Sequence, residues 1–244
     1  MSVRIAAALA AALPLPGDLL LEAVLLTGSH AKGEAEDDSD IDLVAIVREP
    51  VVWRSYFRHE ATDVDLFAYG AAKLTRTLRD RVQPIVQMIA TSIVIVDASG
   101  AGERVRAVAR EAMAAGPIPA NPLAVDRYRH RIVTALDHCA RAARRDLGIA
   151  TTLLDAEIPE LVTLYFTLQR VWRVDLRRAP DLIAAMDAEL AAWLASAMNT
   201  TMPFAVRLES LRCAVERVLA PAGGSLRYFS ASIADGRGAG VPAG

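Results

Sequence analysis

The chain has 244 residues, of which 53% are hydrophobic, and a formal net charge of −2. That length allows one large domain or two small ones with a real core. The near-neutral charge excludes a global pull towards nucleic acid or anionic membrane. Residues 1–119 carry 12 basic and 16 acidic side chains, and residues 120–222 carry 13 and 12. Neither part has the basic footprint of a dedicated nucleic-acid binder.

The opening run MSVRIAAALAAALPLPG imitates a secretory signal, but it reads better as a helix over residues 3–13 ended by Pro14 and Pro16. A buried strand is expected within Leu19 to Thr27, punctuated by Gly28. Ser29 to Lys32 reads as the first turn of a short helix, and Glu34 to Ser39 as a polar loop. DIDLVAIV, residues 40–47, is a second strand, and DVDLFAY, residues 63–69, a third. Residues 54–60 between them give no clear signal. Helix is expected over residues 73–81 and 103–115, strand over 92–96, and the apolar run at 85–91 is ambiguous.

GPIPANP, residues 116–122, is the sharpest composition break, since its prolines end one helix and delay the next. Beyond it only helical periods occur. One runs from Val125 to Cys139, one from Leu161 to Trp172, one from Leu182 to Trp193 and one from Phe204 to Val218. Pro159, Pro180 and Pro203 are expected near helix starts. The domains expected are 1–116, a helical bundle over 120–222 and a flexible tail over 223–244. Cys139 and Cys213 fall in helical apolar patterns and read as free thiols, which fits a cytoplasmic protein. No run reaches the ~18 apolar residues of a membrane span.

Chemistry concentrates in LTGSHAKGEAEDDSDIDLVAI, residues 26–46. Gly28 and Ser29 follow a buried strand and open a short helix, a geometry that offers backbone N–H groups and a hydroxyl to phosphate. Lys32 can reach a phosphate as a point charge, and Gly33 lets the chain leave the turn. Asp40 and Asp42 sit two residues apart at the entry to a strand, so their carboxylates share a face. Like charges that close repel unless a cation lies between them, and a hard divalent ion with oxygen ligands is the natural solution. Asp65 opens a comparable apolar run and could bring a third carboxylate to the same edge. Asp63 shares its face and could serve instead. Glu34, Glu36, Asp37 and Asp38 read as solvating loop acids. His30, inside the turn, reads as a tolerated turn residue, and Trp172 and Trp193 as packing residues.

GSHAKG, then SDIDL, then VDLFAY resembles the nucleotidyltransferase superfamily with the DNA polymerase β-type fold. The resemblance covers residues 20–70 directly. With a helical region behind, the chain is similar to aminoglycoside adenylyltransferases and to minimal nucleotidyltransferases that pair with helical toxin partners. The resemblance implies an α+β protein, with a small mixed sheet and flanking helices followed by an all-α bundle. It implies Asp40, Asp42 and Asp65 as metal-binding and catalytic acids, and Gly28, Ser29, Lys32 and Ser39 as nucleotide-binding residues. It further implies Mg²⁺ as cofactor, a nucleoside triphosphate such as ATP as substrate, and an unidentified hydroxyl acceptor on a small molecule or a protein. Neither membrane nor nucleic acid is an expected partner. Arg131 and His138 resemble the Arg-x-His motif of HEPN-class RNases, but the abundance of arginine and their place on the first helix after the boundary argue against that role.

Overall fold

The computed structural model describes residues 6, 7, 10 and 13–230. The helix expected over residues 3–13 therefore lies largely outside the described residues. The chain divides into two compact units, Met1–Gly116 and Pro117–Gly244. The architecture is α+β, a mixed sheet with flanking helices followed by a helical region.

The first unit is built on five strands: β1 (Leu21–Leu26), β2 (Ile41–Val47), β3 (Val52–His59), β4 (Thr62–Gly70) and β5 (Ile93–Asp97). Their order across the sheet is β3-β4-β2-β1-β5. β2 and β4 run parallel, and every other pairing is antiparallel. One sheet face carries Val24, Leu26, Ile41, Leu43, Ala45, Val47, Val64, Leu66 and Ala68 into a single apolar cluster. The other face carries Leu25, Val44 and Ile46, which are also fully buried. A central strand covered on both sides must read as a continuous apolar run, as VAIV does. Each buried Val, Leu or Ile here contributes about 1.5–3 kcal/mol of burial.

The helices that flank the sheet after β1 are α1 (Gly28–Lys32), α2 (Ala71–Arg79), α3 (Ile85–Ala90) and α4 (Ala101–Ala114). α4 packs on β1, β5, α2 and α3, which fixes the sheet's far edge. The Asp97 carboxylate accepts from the N–H groups of Gly102 and Glu103 and so ties β5 to the first turn of α4.

The segment without a clear signal is β3, an edge strand. Its residues alternate between exposed and half-buried, which is the period-two pattern of a strand covered on one side. Arg54, Tyr56 and Arg58 fill the exposed half of that pattern, and Ser55 dilutes the half-buried one.

The second unit contains α5 (Pro122–Ala142), α6 (Leu147–Gln169), α7 (Ala179–Met186), α8 (Ala188–Met198) and α9 (Phe204–Leu219). Its core joins Ile132, Leu136, Leu154, Leu161, Phe166, Leu190, Leu211 and Val215. Asn121 caps α5 through Leu123 N–H, with Pro122 in the first turn, as expected for such a start. Three expectations about these helices are corrected. The series from Leu161 stops at Gln169, where Arg170 turns left-handed and leaves Trp172 outside the helix. Pro159 lies inside α6 rather than near a start; burial of Leu154, Ile158, Leu161 and Val162 along one face outweighs the ~3 kcal/mol cost of an internal proline. The series from Leu182 to Trp193 is two helices, because the Asp187 side chain accepts from Leu190 N–H and starts α8 afresh.

Past α9, a stretch from Gly223 to Phe229 is held to α5. Arg129 donates to the carbonyls of Gly223 and Gly224. The His130 ring contacts Leu226 O and stacks on Phe229. Cys139 is buried and Cys213 half-buried, and both are free thiols. Among the described residues, no helix is long and apolar enough to cross a membrane.

Candidate functional site

The site grows from the end of β1. Thr27 is fully buried, and both its N–H and its hydroxyl donate to the carbonyl of Asp42. That fixes the β1 exit against the β2 entry. Gly28 follows with φ +65°, a left-handed conformation that costs any other L-residue free energy. Its second constraint is proximity. A Cβ built on Gly28 would stand 1.8 Å from Asp42 Oδ2. The Gly-Ser turn and the Asp-x-Asp strand, fourteen residues apart in sequence, are therefore in direct contact. α1 carries Ser29, His30 and Lys32, and Gly33 ends it in the left-handed region with Glu34 N–H donating to Ser29 O.

The parallel register of β2 and β4 sets Asp42 directly opposite Asp65. Residues in register across a sheet point the same way, so both carboxylates lie on one face. Asp40 stands just before β2 and adds its charge to the group. Asp42 responds electrostatically. Burial, then the Asp40 and Asp65 charges, push its carboxyl up to about 6 against the opposing pull of His30 and Arg54. Asp65 is only 7% exposed, whereas the Asp63 side chain is 41% exposed and pairs with Arg58 at 3.5 Å. Ser39 presents its hydroxyl to Glu36 N–H at 2.8 Å, and its carbonyl contacts the His30 ring at 3.3 Å.

One participant was not read from the sequence. Arg54 on β3 grips Asp65 with two hydrogen bonds, Nε to Oδ1 at 2.9 Å and Nη2 to Oδ2 at 2.7 Å. Its guanidinium also rests 4.7 Å from the Phe67 ring centroid. The signal that could have found it is the alternation Arg54, Tyr56, Arg58, which puts all three on the side that carries Asp65.

The donor chemistry fits a divalent cation at Asp40 and Asp42, where hard oxygens repel one another and one carboxyl is driven towards protonation. Asp65 belongs to the same group by register, but both its oxygens are engaged by Arg54. Among the described residues no three acidic, histidine or cysteine side chains stand in ligating geometry.

The Gly28 contact yields an expected outcome. Gly28→Ala meets both a left-handed backbone and the Asp42 carboxylate, so stability should fall by about 1–3 kcal/mol. Urea denaturation reads that loss. A Mn²⁺ titration of the same variant should show weakened binding, because Asp42 must move aside.

Residues 17–99 match the family model of the nucleotidyltransferase domain. Among solved structures, the chain resembles a nucleotidyltransferase-like protein from Exiguobacterium sibiricum 255-15. The two share 13% sequence identity with a TM-score of 0.52, over 90% of this chain and 74% of that one. At that identity the likeness is one of fold. No curated protein matches the chain.

Proposed function

We propose that the chain is a Mg²⁺-dependent nucleotidyltransferase that moves a nucleoside monophosphate, AMP from ATP, onto a hydroxyl acceptor with release of pyrophosphate. The observation that carries this reading is the contact of Gly28 with the Asp42 carboxylate. It joins a phosphate-side turn to a pair of acids within a segment that matches a nucleotidyltransferase domain.

In this reading Asp40 and Asp42 hold the cation, and Asp65 completes the acidic set or takes the proton of the acceptor hydroxyl. Gly28, Ser29, Lys32 and Ser39 serve the triphosphate. The bare α-carbon of Gly28 lets the nucleotide approach the backbone, Ser29 offers its hydroxyl, and Lys32 adds a positive charge. A bound divalent ion supplies neutralisation of the triphosphate charge. The remaining contribution is positioning, which holds the acceptor oxygen in line with the α-phosphate. The acceptor is a small molecule of aminoglycoside type or a hydroxyl on a partner protein.

A second reading is a nucleotide-binding module without turnover. The Arg54–Asp65 pair favours it, since that pair occupies the third acid.

Incubation with α-labelled ATP, Mg²⁺ and either an aminoglycoside panel or a cell lysate separates these. Label on a drug or a protein band, with pyrophosphate released, is the expected result. ATP binding without pyrophosphate release under both conditions would establish the silent module instead.

A further inference from the structure

Arg54 has a geometry that a simple surface ion pair does not need. It projects from an edge strand with its side chain 62% exposed, yet its partner is the nearly buried Asp65, whose side chain is 10% exposed. The register places Arg54 opposite Phe67 and Tyr56 opposite Asp65. The guanidinium therefore reaches diagonally, over the Phe67 ring, to a carboxylate that belongs to the next pair along the strand. Both Asp65 oxygens face it in the two-pronged fit that only arginine gives.

Beyond Asp65 the acids are in excess. Asp42 stands across from Asp65 and Asp40 nearby, with Arg54 the guanidinium set against them. A positive charge is needed at this face to hold three carboxylates together, and in the protein alone Arg54 provides part of it. A divalent ion delivered to the same carboxylates supplies the same charge. Once it does, the guanidinium has no anionic partner at Asp65, but it stays on an exposed, jointed side chain beside the site.

We propose that Arg54 is an exchangeable counter-ion. It holds Asp65 until a divalent cation takes that carboxylate, and the released guanidinium then pairs with a phosphate oxygen of the bound nucleotide. This inference rests on the proposed nucleotidyltransferase reading and assigns Arg54 as a positioning residue and nucleotide contact within it. Exposure of the guanidinium makes the swing feasible without unfolding β3, and the Phe67 ring supports it in the resting position. Guanidinium and phosphate match as well as guanidinium and carboxylate, so the exchange replaces one charge-assisted pair by another.

The exchange predicts effects of opposite sign, which a merely structural role would not produce. Arg54→Gln removes the competitor for Asp65. Mn²⁺ binding without nucleotide, read from the electron paramagnetic resonance of the free ion at pH 7.5, should tighten ~10-fold, through loss of one repelling charge beside the site. At saturating Mn²⁺ the same variant should bind ATP ~10-fold more weakly, because it lacks the charged partner. Arg54→Lys keeps a charge but not the fork, and should fall between wild type and Arg54→Gln on both measures.

Mn²⁺ affinity that is unchanged or weaker in Arg54→Gln overturns the exchange, as does unchanged ATP affinity. Asp42→Asn, run alongside, separates this failure from that of the broader reading. If Asp42→Asn loses Mn²⁺ while Arg54→Gln changes nothing, the counter-ion role falls and the acidic site stands. If Asp42→Asn binds Mn²⁺ as wild type does, the acidic site falls, and the counter-ion role with it.

Discussion

Asp42→Asn should abolish transfer, lowering the rate by at least ~10³-fold, while making the protein without cation more stable at neutral pH. Both effects have one cause. Asp42 is pressed between burial and the charges of Asp40 and Asp65, which push its carboxyl up to about 6. In the unfolded chain the same group titrates at ~3.9. Between those values the folded state binds more protons than the unfolded one, so stability falls as pH rises from about 4 to about 6 and stays low above that window. The asparagine carries no charge and should remove this slope. After allowance for the partial exposure of Asp42, the gain at pH 7.5 is on the order of 1–2 kcal/mol. Thermal melts of wild type and Asp42→Asn from pH 4 to 8 read it directly, with the two curves diverging above pH 4. Parallel curves would mean that Asp42 is an ordinary surface acid. Added Mg²⁺ should raise the melting temperature of wild type and leave that of Asp42→Asn unmoved.

The second large effect concerns the helical unit. Arg207 is 3% exposed. It donates from Nε to Ala197 O at 2.8 Å and pairs with Asp155 through Nη2. These contacts tie α9 to α8 and α6. Asp155→Leu leaves the buried guanidinium without its counter-charge, but the Asp155 side chain is itself 47% exposed, so the cost should be about 1–3 kcal/mol, below that of a fully buried pair. The double variant Asp155→Leu/Arg207→Met should recover most of that loss. Urea denaturation, with amide hydrogen exchange of α6 and α9 as the local probe, distinguishes the two. A single variant within about 0.5 kcal/mol of wild type would place the stability of this unit elsewhere.

Much of the acidic site was legible because its chemistry is local. Gly28, Ser29, Asp40 and Asp42 lie within fifteen residues, and strand alternation is enough to put two carboxylates on one face. What the sequence could not supply was register. That Asp65 stands opposite Asp42 depends on β2 and β4 running parallel, and a shift of one residue would have turned Asp65 to the other face. The contact between Gly28 and Asp42 depends likewise on how Thr27 docks on the Asp42 carbonyl.

Arg54 went unread for a different reason. Edge strands tolerate polar residues on the exposed side, so RSYFRH carries the strand period without an apolar run to announce it. In the helical unit, periodicity found the buried faces but not the breaks. Leu182 to Trp193 keeps one apolar rhythm across Asp187, and only the cap on Leu190 N–H shows that the helix restarts there. Pro159 errs in the opposite direction, since a core contact around Ile158 and Leu161 carries the helix through a residue that sequence rules treat as a boundary.

The most direct test of the acidic site is a crystal structure with Mn²⁺ and a non-hydrolysable ATP analogue, with the metal located by anomalous scattering. The account predicts a Mn²⁺ peak about 2.0–2.3 Å from carboxylate oxygens of Asp40 and Asp42, with the triphosphate against Gly28 and Ser29. A metal bound elsewhere, or a triphosphate away from that turn, would contradict it.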